Sequence, residues 1–233
     1  MSSLSTPVMV LTTNQAMPIG LDPVIMDEKE LESYGPRGMT LSSVCSLSVK
    51  PLPMVCFNLQ VPSRTSAAIH SRKMFALNIL PPNHDSVKIC RAFAGGLGKD
   101  INPFKAEEEY LTTIDKNVGK LSDEFEIGSE KFITEKASDI PTVKSAVAVM
   151  YCEAKQMFKA QDHEIWVAEI VAVRSSDRFL APDCVGGVLY HKRAFHSVGE
   201  RLKEPSIKEI NDSRERGRSK LSHCIEFTDS VIY

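Results

Sequence analysis

The sequence predicts a mainly β fold, a barrel with peripheral helices. Three observations lead there: short apolar, β-branched runs recur along the chain, helical spacing is confined to a few short stretches, and no strand–helix–strand rhythm of a parallel sheet appears. At 233 residues the chain can bury one sizeable core. A net charge of −2 gives no electrostatic reason to expect nucleic acid or an anionic membrane as partner, and no apolar run approaches the roughly 20 residues of a membrane-spanning helix.

Val8 to Thr13 reads as the first strand, and Asn14 to Pro36, punctuated by Pro18, Gly20, Pro23 and Gly35, as a surface excursion. Met39 to Val49 alternates apolar and small polar residues like a half-buried strand; Lys50 to Pro53 turns the chain into the next, Met54 to Leu59. Pro62-Ser63-Arg64-Thr65 looks like a helix start, with Ser63 or Thr65 as N-cap and Ser66 to Arg72 behind it. Phe75 to Leu80 is a core strand, and His84 to Phe93 has helical spacing. A polar, variable crossover is expected over 99–140. Two strong strands follow, Ser145 to Glu153 and Ile165 to Val173, with Gln156 to Glu164 as their connection, and Val185 to Tyr190 makes a last short strand. The domain is expected to span 1–199, and 200–233 to be a charge-dense tail with an apolar end.

Chemistry concentrates between Gly38 and Leu80. Thr40-Leu41-Ser42-Ser43, Ser46-Leu47-Ser48 and Ser63-Arg64-Thr65-Ser66 gather hydroxyls and backbone N–H groups near turns, with one guanidinium among them and no carboxylate from Tyr34 to His84. A polyanion carrying a neutral polar ring system suits such a surface; a metal ion or a base-activated nucleophile does not. The start of a helix favours an anion through its oriented N–H groups and dipole, and Arg64 adds charge-assisted hydrogen bonds. A capped surface helix with a solvated arginine is the plainer alternative. Asn78, among apolar neighbours, must find hydrogen-bond partners, whether ligand or backbone. The six cysteines show no metal-ligand spacing and read as small reduced hydrophobes, Cys45 and Cys56 as core residues, which places the chain in a reducing compartment. No metal site is expected.

Taken in order, the segments resemble the flavin reductase family. Gly38-Met39-Thr40-Leu41-Ser42-Ser43-Val44-Cys45-Ser46-Leu47-Ser48 is similar to that family's G-[MV]-T-x-S-S-x-x-S-x-S, Ser63-Arg64-Thr65 to its S-R-T, Phe75 to Leu80 to its F-A-V-N-V-L and Phe93-Ala94-Gly95 to its F-A-G. Asp162-His163, Ala168-Glu169-Ile170 and Leu189-Tyr190-His191 resemble its G-D-H, G-E-V and L-Y-H, with Gln161 and Ala168 in place of two glycines. The resemblance implies an FMN-binding split β-barrel of Greek-key type, homodimeric, with the flavin at the dimer interface. It implies cofactor contacts from Thr40, Leu41, Ser42, Ser43, Ser46, Ser63, Arg64, Thr65, Asn78, Phe93 and Ala94, and a catalytic role for His163 as proton donor or nicotinamide-site residue. FMN, with FAD as an alternative, would take hydride from NADH or NADPH, and an oxygenase or another acceptor would receive the electrons. The setting implied is cytoplasmic, with mitochondria left open. A non-catalytic FMN carrier, sensor or subunit is the competing reading.

Overall fold

The computed structural model describes residues 4–15, 17, 26–27, 34–96, 103–104, 114–115, 137, 139–175 and 186–199. Chain contacts gather Met1–Val198 into one compact unit and Gly199–Tyr233 into another, and every strand and helix described belongs to the first. The expected tail over 200–233, and most of the excursion and crossover, lie outside the described residues.

In chain order the elements are β1 (Thr6–Pro7), β2 (Met9–Gln15), β3 (Gly35–Leu41), β4 (Cys45–Ser48), β5 (Met54–Gln60), helix α1 (Arg64–Arg72), β6 (Met74–Ile79), helix α2 (His84–Arg91), β7 (Ile114–Asp115), β8 (Thr142–Val143), β9 (Ala148–Ala160), β10 (His163–Ser175), β11 (Leu189–His191) and β12 (Ala194–His196). A seven-stranded antiparallel sheet runs β3-β2-β6-β9-β10-β5-β4; β1, β11 and β12 form a small second sheet, and β7 pairs with β8. The β9–β10 hairpin is inserted between β5 and β6, which are consecutive strands in the chain.

The sheet is not hydrogen-bonded into the closed barrel the sequence led us to expect, because β3 and β4 stand at its two ends. Yet only Ser42, Ser43 and Val44 join these strands. Seven strands laid flat would separate the edges by about 29 Å at ~4.8 Å per strand, whereas so short a connection reaches ~14 Å at most. The sheet therefore curls until the end of β3 comes near the start of β4, and the seam at their connection is tied to β5 by a side chain. The Ser43 hydroxyl donates to the Asn58 carbonyl (3.2 Å) and accepts from the Asn58 N–H (3.1 Å).

Inside the curl, alternate residues of the strands interlock: Leu11, Leu41, Val55, Phe57, Leu59, Phe75, Leu77 and Trp166 are buried together with Ile69 from α1. A second cluster, Val8, Val10, Leu80, Ile89, Cys90, Phe93 and Phe104, packs α2 against the sheet. Ser63 is the N-cap of α1, accepting from the Ser66 N–H at 3.2 Å, and Lys73 ends the helix in the left-handed region at φ 61°. The helix begins at Arg64, two residues earlier than the sequence suggests, because Ser63 rather than Thr65 caps it.

Further expectations change. Met39 to Val49 is two strands, β3 and β4, broken at the seam. Gln156 to Glu164 is mostly strand, since β9 and β10 extend to a tight turn at Gln161-Asp162. β12, Ala194–His196, follows a basic run that gave no strand signal. Cys45 and Cys56 are not core residues: Cys45 is exposed and Cys56 half-buried.

Candidate functional site

A cleft of about 640 Å³ opens where the N-terminus of α1 meets β3, the end of β5 and the turn after α2. Arg37, Gly38, Met39 and Thr40 supply one wall, Gln60 to Thr65 a second, and Ala92 to Gly95 a third. Of the residues singled out in the sequence, Thr40, Ser63, Arg64, Thr65, Phe93 and Ala94 all line it. The amides of Arg64 and Thr65 open the helix, where N–H groups have no intrahelical acceptor, and the helix dipole adds partial positive charge there. The exposed guanidinium of Arg64 adds a full positive charge to the same wall.

The chain is held tightly around it. The Thr65 hydroxyl donates to the Gly38 carbonyl at 3.3 Å and the Thr40 hydroxyl to the Cys90 carbonyl at 2.6 Å, tying β3 to both helices. Gly38 is a close-approach position: a Cβ there would stand 2.7 Å from Phe93 Cε1 and 2.8 Å from the Leu11 carbonyl oxygen. Gly95, at φ 80°, takes a left-handed conformation that turns the chain out of the π-type turn Ala92–Gly96 and along the cleft wall.

A second cleft of about 380 Å³ is lined by Val8, Thr40, Ser42, Arg91, Ala94, Tyr190, Arg193 and Phe195. It shares Thr40 and Ala94 with the first, so the two clefts are neighbours, with Arg37 and Arg64 lining one and Arg91 and Arg193 the other.

Other sequence candidates fall elsewhere. Asn78 is fully buried: its Nδ2 donates to the Val10 carbonyl (2.9 Å) and to Thr12 Oγ1 (3.0 Å), while its Oδ1 accepts from the Val143 N–H (2.9 Å). Its amide joins β2 and β8 to β6, so backbone and Thr12 supply the partners that the sequence left open between ligand and backbone. Leu41 points into the core at 3 % exposure, leaving only its backbone for a ligand. Ser46 is exposed on edge strand β4 and lines neither cleft, and the Ser43 hydroxyl is engaged at the seam. His163 stands at the start of β10, opposite Gln60 of the cleft wall. Its Nδ1 lies 2.8 Å from Asp162 Oδ1, and Asp162 in turn accepts from Gln60 Nε2 at 3.2 Å. The hydrogen bond with His163 holds the Asp162 carboxyl below its ordinary range.

Sequence reasoning missed Arg37, which is 7 % exposed and lines the first cleft. Its Nη1 donates to the Pro36 carbonyl at 2.9 Å and its Nη2 to the Tyr34 carbonyl at 3.4 Å. Its place directly before Gly38 was the available signal. Arg193 belongs to the basic run His191-Lys192-Arg193, which reads in the sequence as a solvated face able to attract a dinucleotide's phosphates, whereas Arg91, beside it in the second cleft, carried no signal.

Behind the cleft, Glu164 is nearly buried, accepting from the Ser66 hydroxyl and lying 3.1 Å from His70 Nε2. Burial pushes its carboxyl upward, but the hydrogen bonds from Ser66 and His70 outweigh that and leave it below its ordinary range. His70 also packs edge-on to Trp166 at 4.7 Å. This network anchors the capped end of α1 to β10.

The structure is thus a β protein whose curled antiparallel sheet carries an arginine-lined, hydroxyl-rich cleft at a helix N-terminus. Residues 1–199 match the flavin reductase like domain, and the chain belongs to that family. Solved structures share the fold. A flavin reductase domain protein from Arthrobacter sp. FB24 is 18% identical with a TM-score of 0.58, covering 88% of this chain and 94% of its own. The NADH:FAD oxidoreductase SgcE6 of Streptomyces globisporus C-1027 is 20% identical with a TM-score of 0.54, over 88% of this chain and 87% of its own. The flavin reductase HpaC, solved with NADP+, is 18% identical with a TM-score of 0.52, over 84% and 92%. The residues present fit a flavin nucleotide: a helix N-terminus with Arg64 for phosphate, small neutral hydroxyls for a polar ring, and, among the described residues, no carboxylate lining either cleft.

Proposed function

We propose that the protein is an NAD(P)H-dependent flavin oxidoreductase that holds FMN, or FAD in its place. The observation that carries this reading is that Arg64, the first amides of α1 and Arg37 line one cleft together with Thr40, which also lines the neighbouring cleft with Ser42. Arg64 and the helix amides hold the phosphate; Thr40 and Ser42 meet the ring without adding charge. A bound flavin supplies an acceptor for hydride from the nicotinamide. The protein then contributes mainly position, which is why no carboxylate dyad or nucleophile–base pair is needed.

Arg91 and Arg193 suit the phosphates of a nicotinamide nucleotide entering from the second cleft. His163, its Nδ1 engaged by Asp162 and its strand partner Gln60 lining the first cleft, offers Nε2 as a proton donor. We assign a homodimer with the flavin between copies, because the cleft is open on one side and the sheet exposes Phe158 and Ile165 directly opposite each other. The described free thiols suit a reducing, cytoplasmic setting, and an oxygenase is the proposed recipient of reduced flavin.

Purified protein mixed with FMN and NADH tests the reading through loss of nicotinamide absorbance. Flavin binding without nicotinamide consumption, with NADPH as well as NADH, would overturn it. Light scattering at micromolar concentration tests the dimer; a monomer that binds FMN stoichiometrically would refute that part.

A further inference from the structure

Away from both clefts, edge strand β4 and its neighbour β5 place two thiols face to face. Cys45 and Cys56 are directly opposed in the antiparallel ladder, with Sγ atoms 3.1 Å apart, and both are free. Opposed residues in such a ladder have Cα atoms about 4.5–5.5 Å apart, inside the ~4.4–6.8 Å that a disulfide spans. Closing the sulfurs to bonding distance therefore needs side-chain rotation and no movement of the strands.

The other described cysteines are poor competitors. Cys90 is buried and its thiol pushed up to about 12, and burial raises that of Cys152 as well, so neither offers thiolate near neutrality. Cys45 is exposed to solvent. Its hydrogen bond to Cys56, together with partial burial, holds the Cys56 thiol above its ordinary range. The more accessible sulfur thus belongs to Cys45, with Cys56 waiting behind it.

We propose that Cys45 and Cys56 are a redox modification site, converted by hydroperoxide to a reversible cross-strand disulfide. The Cys45 thiolate attacks one oxygen of hydrogen peroxide; the O–O bond breaks, leaving a sulfenic acid on Cys45 and one water. The Cys56 sulfur then attacks the Cys45 sulfur, an S–S bond forms as the S–O bond breaks, and a second water leaves. In total two thiols lose two electrons and two protons, and one peroxide becomes two waters. A cellular dithiol reverses the change by thiol–disulfide exchange. The bond would clamp β4, which has a ladder on one side only and a register shift between Ser46 and Ser48, two residues beyond the Ser43 seam. The site stands independently of the flavin reading, since no bound cofactor enters it.

The experiment uses the full-length chain, reduced, desalted and exposed to hydrogen peroxide without denaturant, then alkylated in denaturant and digested with trypsin. Trypsin spares the Lys50-Pro51 bond, so both cysteines stay on the one peptide from Gly38 to Arg64. The expected result is that this peptide becomes two hydrogens lighter and loses both alkyl groups, with full recovery after dithiothreitol. Cys56→Ser should stop at a sulfenic acid on Cys45, trapped by dimedone, and Cys45→Ser should leave Cys56 alkylatable. The proposal is overturned if both cysteines remain alkylatable after peroxide, if Cys45 proceeds to sulfinic acid while Cys56 stays free, or if either joins Cys184 or Cys224 instead. Because the readout is a peptide mass, it holds whether or not the protein turns over flavin.

Discussion

Replacing Arg64 with alanine isolates the phosphate contact. Its guanidinium is exposed at the mouth of the first cleft, so water competes for it. Two unit charges 4 Å apart attract by ~4 kcal/mol at the effective dielectric of a protein surface and ~1 kcal/mol in bulk water. Hydrogen bonds to charged groups contribute about 1.5–3 kcal/mol, between these limits. At about 1.4 kcal/mol per decade, Arg64→Ala should raise the FMN dissociation constant roughly tenfold to hundredfold. The α1 amides and Arg37 remain in the mutant, so binding is weakened rather than lost. Riboflavin lacks the phosphate and should bind the mutant and the parent alike. Arg64→Lys should recover part of the loss, keeping charge without the planar fork. Raising salt from ~0.1 M to ~1 M shortens the screening length from ~10 Å to ~3 Å, so the parent's preference for FMN over riboflavin should narrow. Flavin fluorescence quenching reads every constant. Equal losses for FMN and riboflavin in Arg64→Ala would refute the reasoning and make Arg64 a structural residue.

Gly38→Ala drives a methyl into Phe93 and the Leu11 carbonyl; we expect a loss of about 1–3 kcal/mol of stability by urea unfolding, the range for overpacking, and an unchanged midpoint would contradict the packing. Asn78→Ala leaves the Val143 N–H without its acceptor; about 1–3 kcal/mol should be lost, while FMN affinity measured on the folded fraction holds. Glu164 titrates below its unfolded value, so its stabilisation is present above the unfolded carboxyl pKa of ~4.3 and disappears as pH falls through the lower folded one. Glu164→Gln should flatten that acid limb of the stability profile, and an acid limb identical to the parent's would sink the assignment.

How much of this was legible in the sequence depends on where each residue faces. Phe75 to Leu80 could be read directly because that strand is buried along nearly its whole length, so its composition carries the signal. The outer half of β9 could not: Lys155, Gln156, Lys159 and Ala160 project into solvent, and a polar stretch between two apolar ones looks like a loop. Arg64 announced itself through the neighbouring cap, whereas Arg37 borrows its importance from a sheet that brings Gly38 to the same cleft. Asn78 was ambiguous for a physical reason. A buried amide demands partners, but only the fold says whether strand or ligand supplies them. Cys45 and Cys56 misled because a thiol's apolar character predicts burial, while their opposition across a ladder depends on register.

The hairpin inserted between β5 and β6 has a consequence for how the protein is made. A nascent chain exposes the edges of these two strands long before the pair that joins them exists, since β10 ends at Ser175 and β6 at Ile79. Roughly a hundred residues of synthesis separate the two, on the order of 5–20 s at ordinary ribosome speeds. Throughout that interval a half-built sheet with bare ladders faces solvent, and the last piece of the seven-stranded sheet to arrive is the central one. Production of this protein should accordingly depend on chaperone capacity and temperature more steeply than its finished stability would suggest.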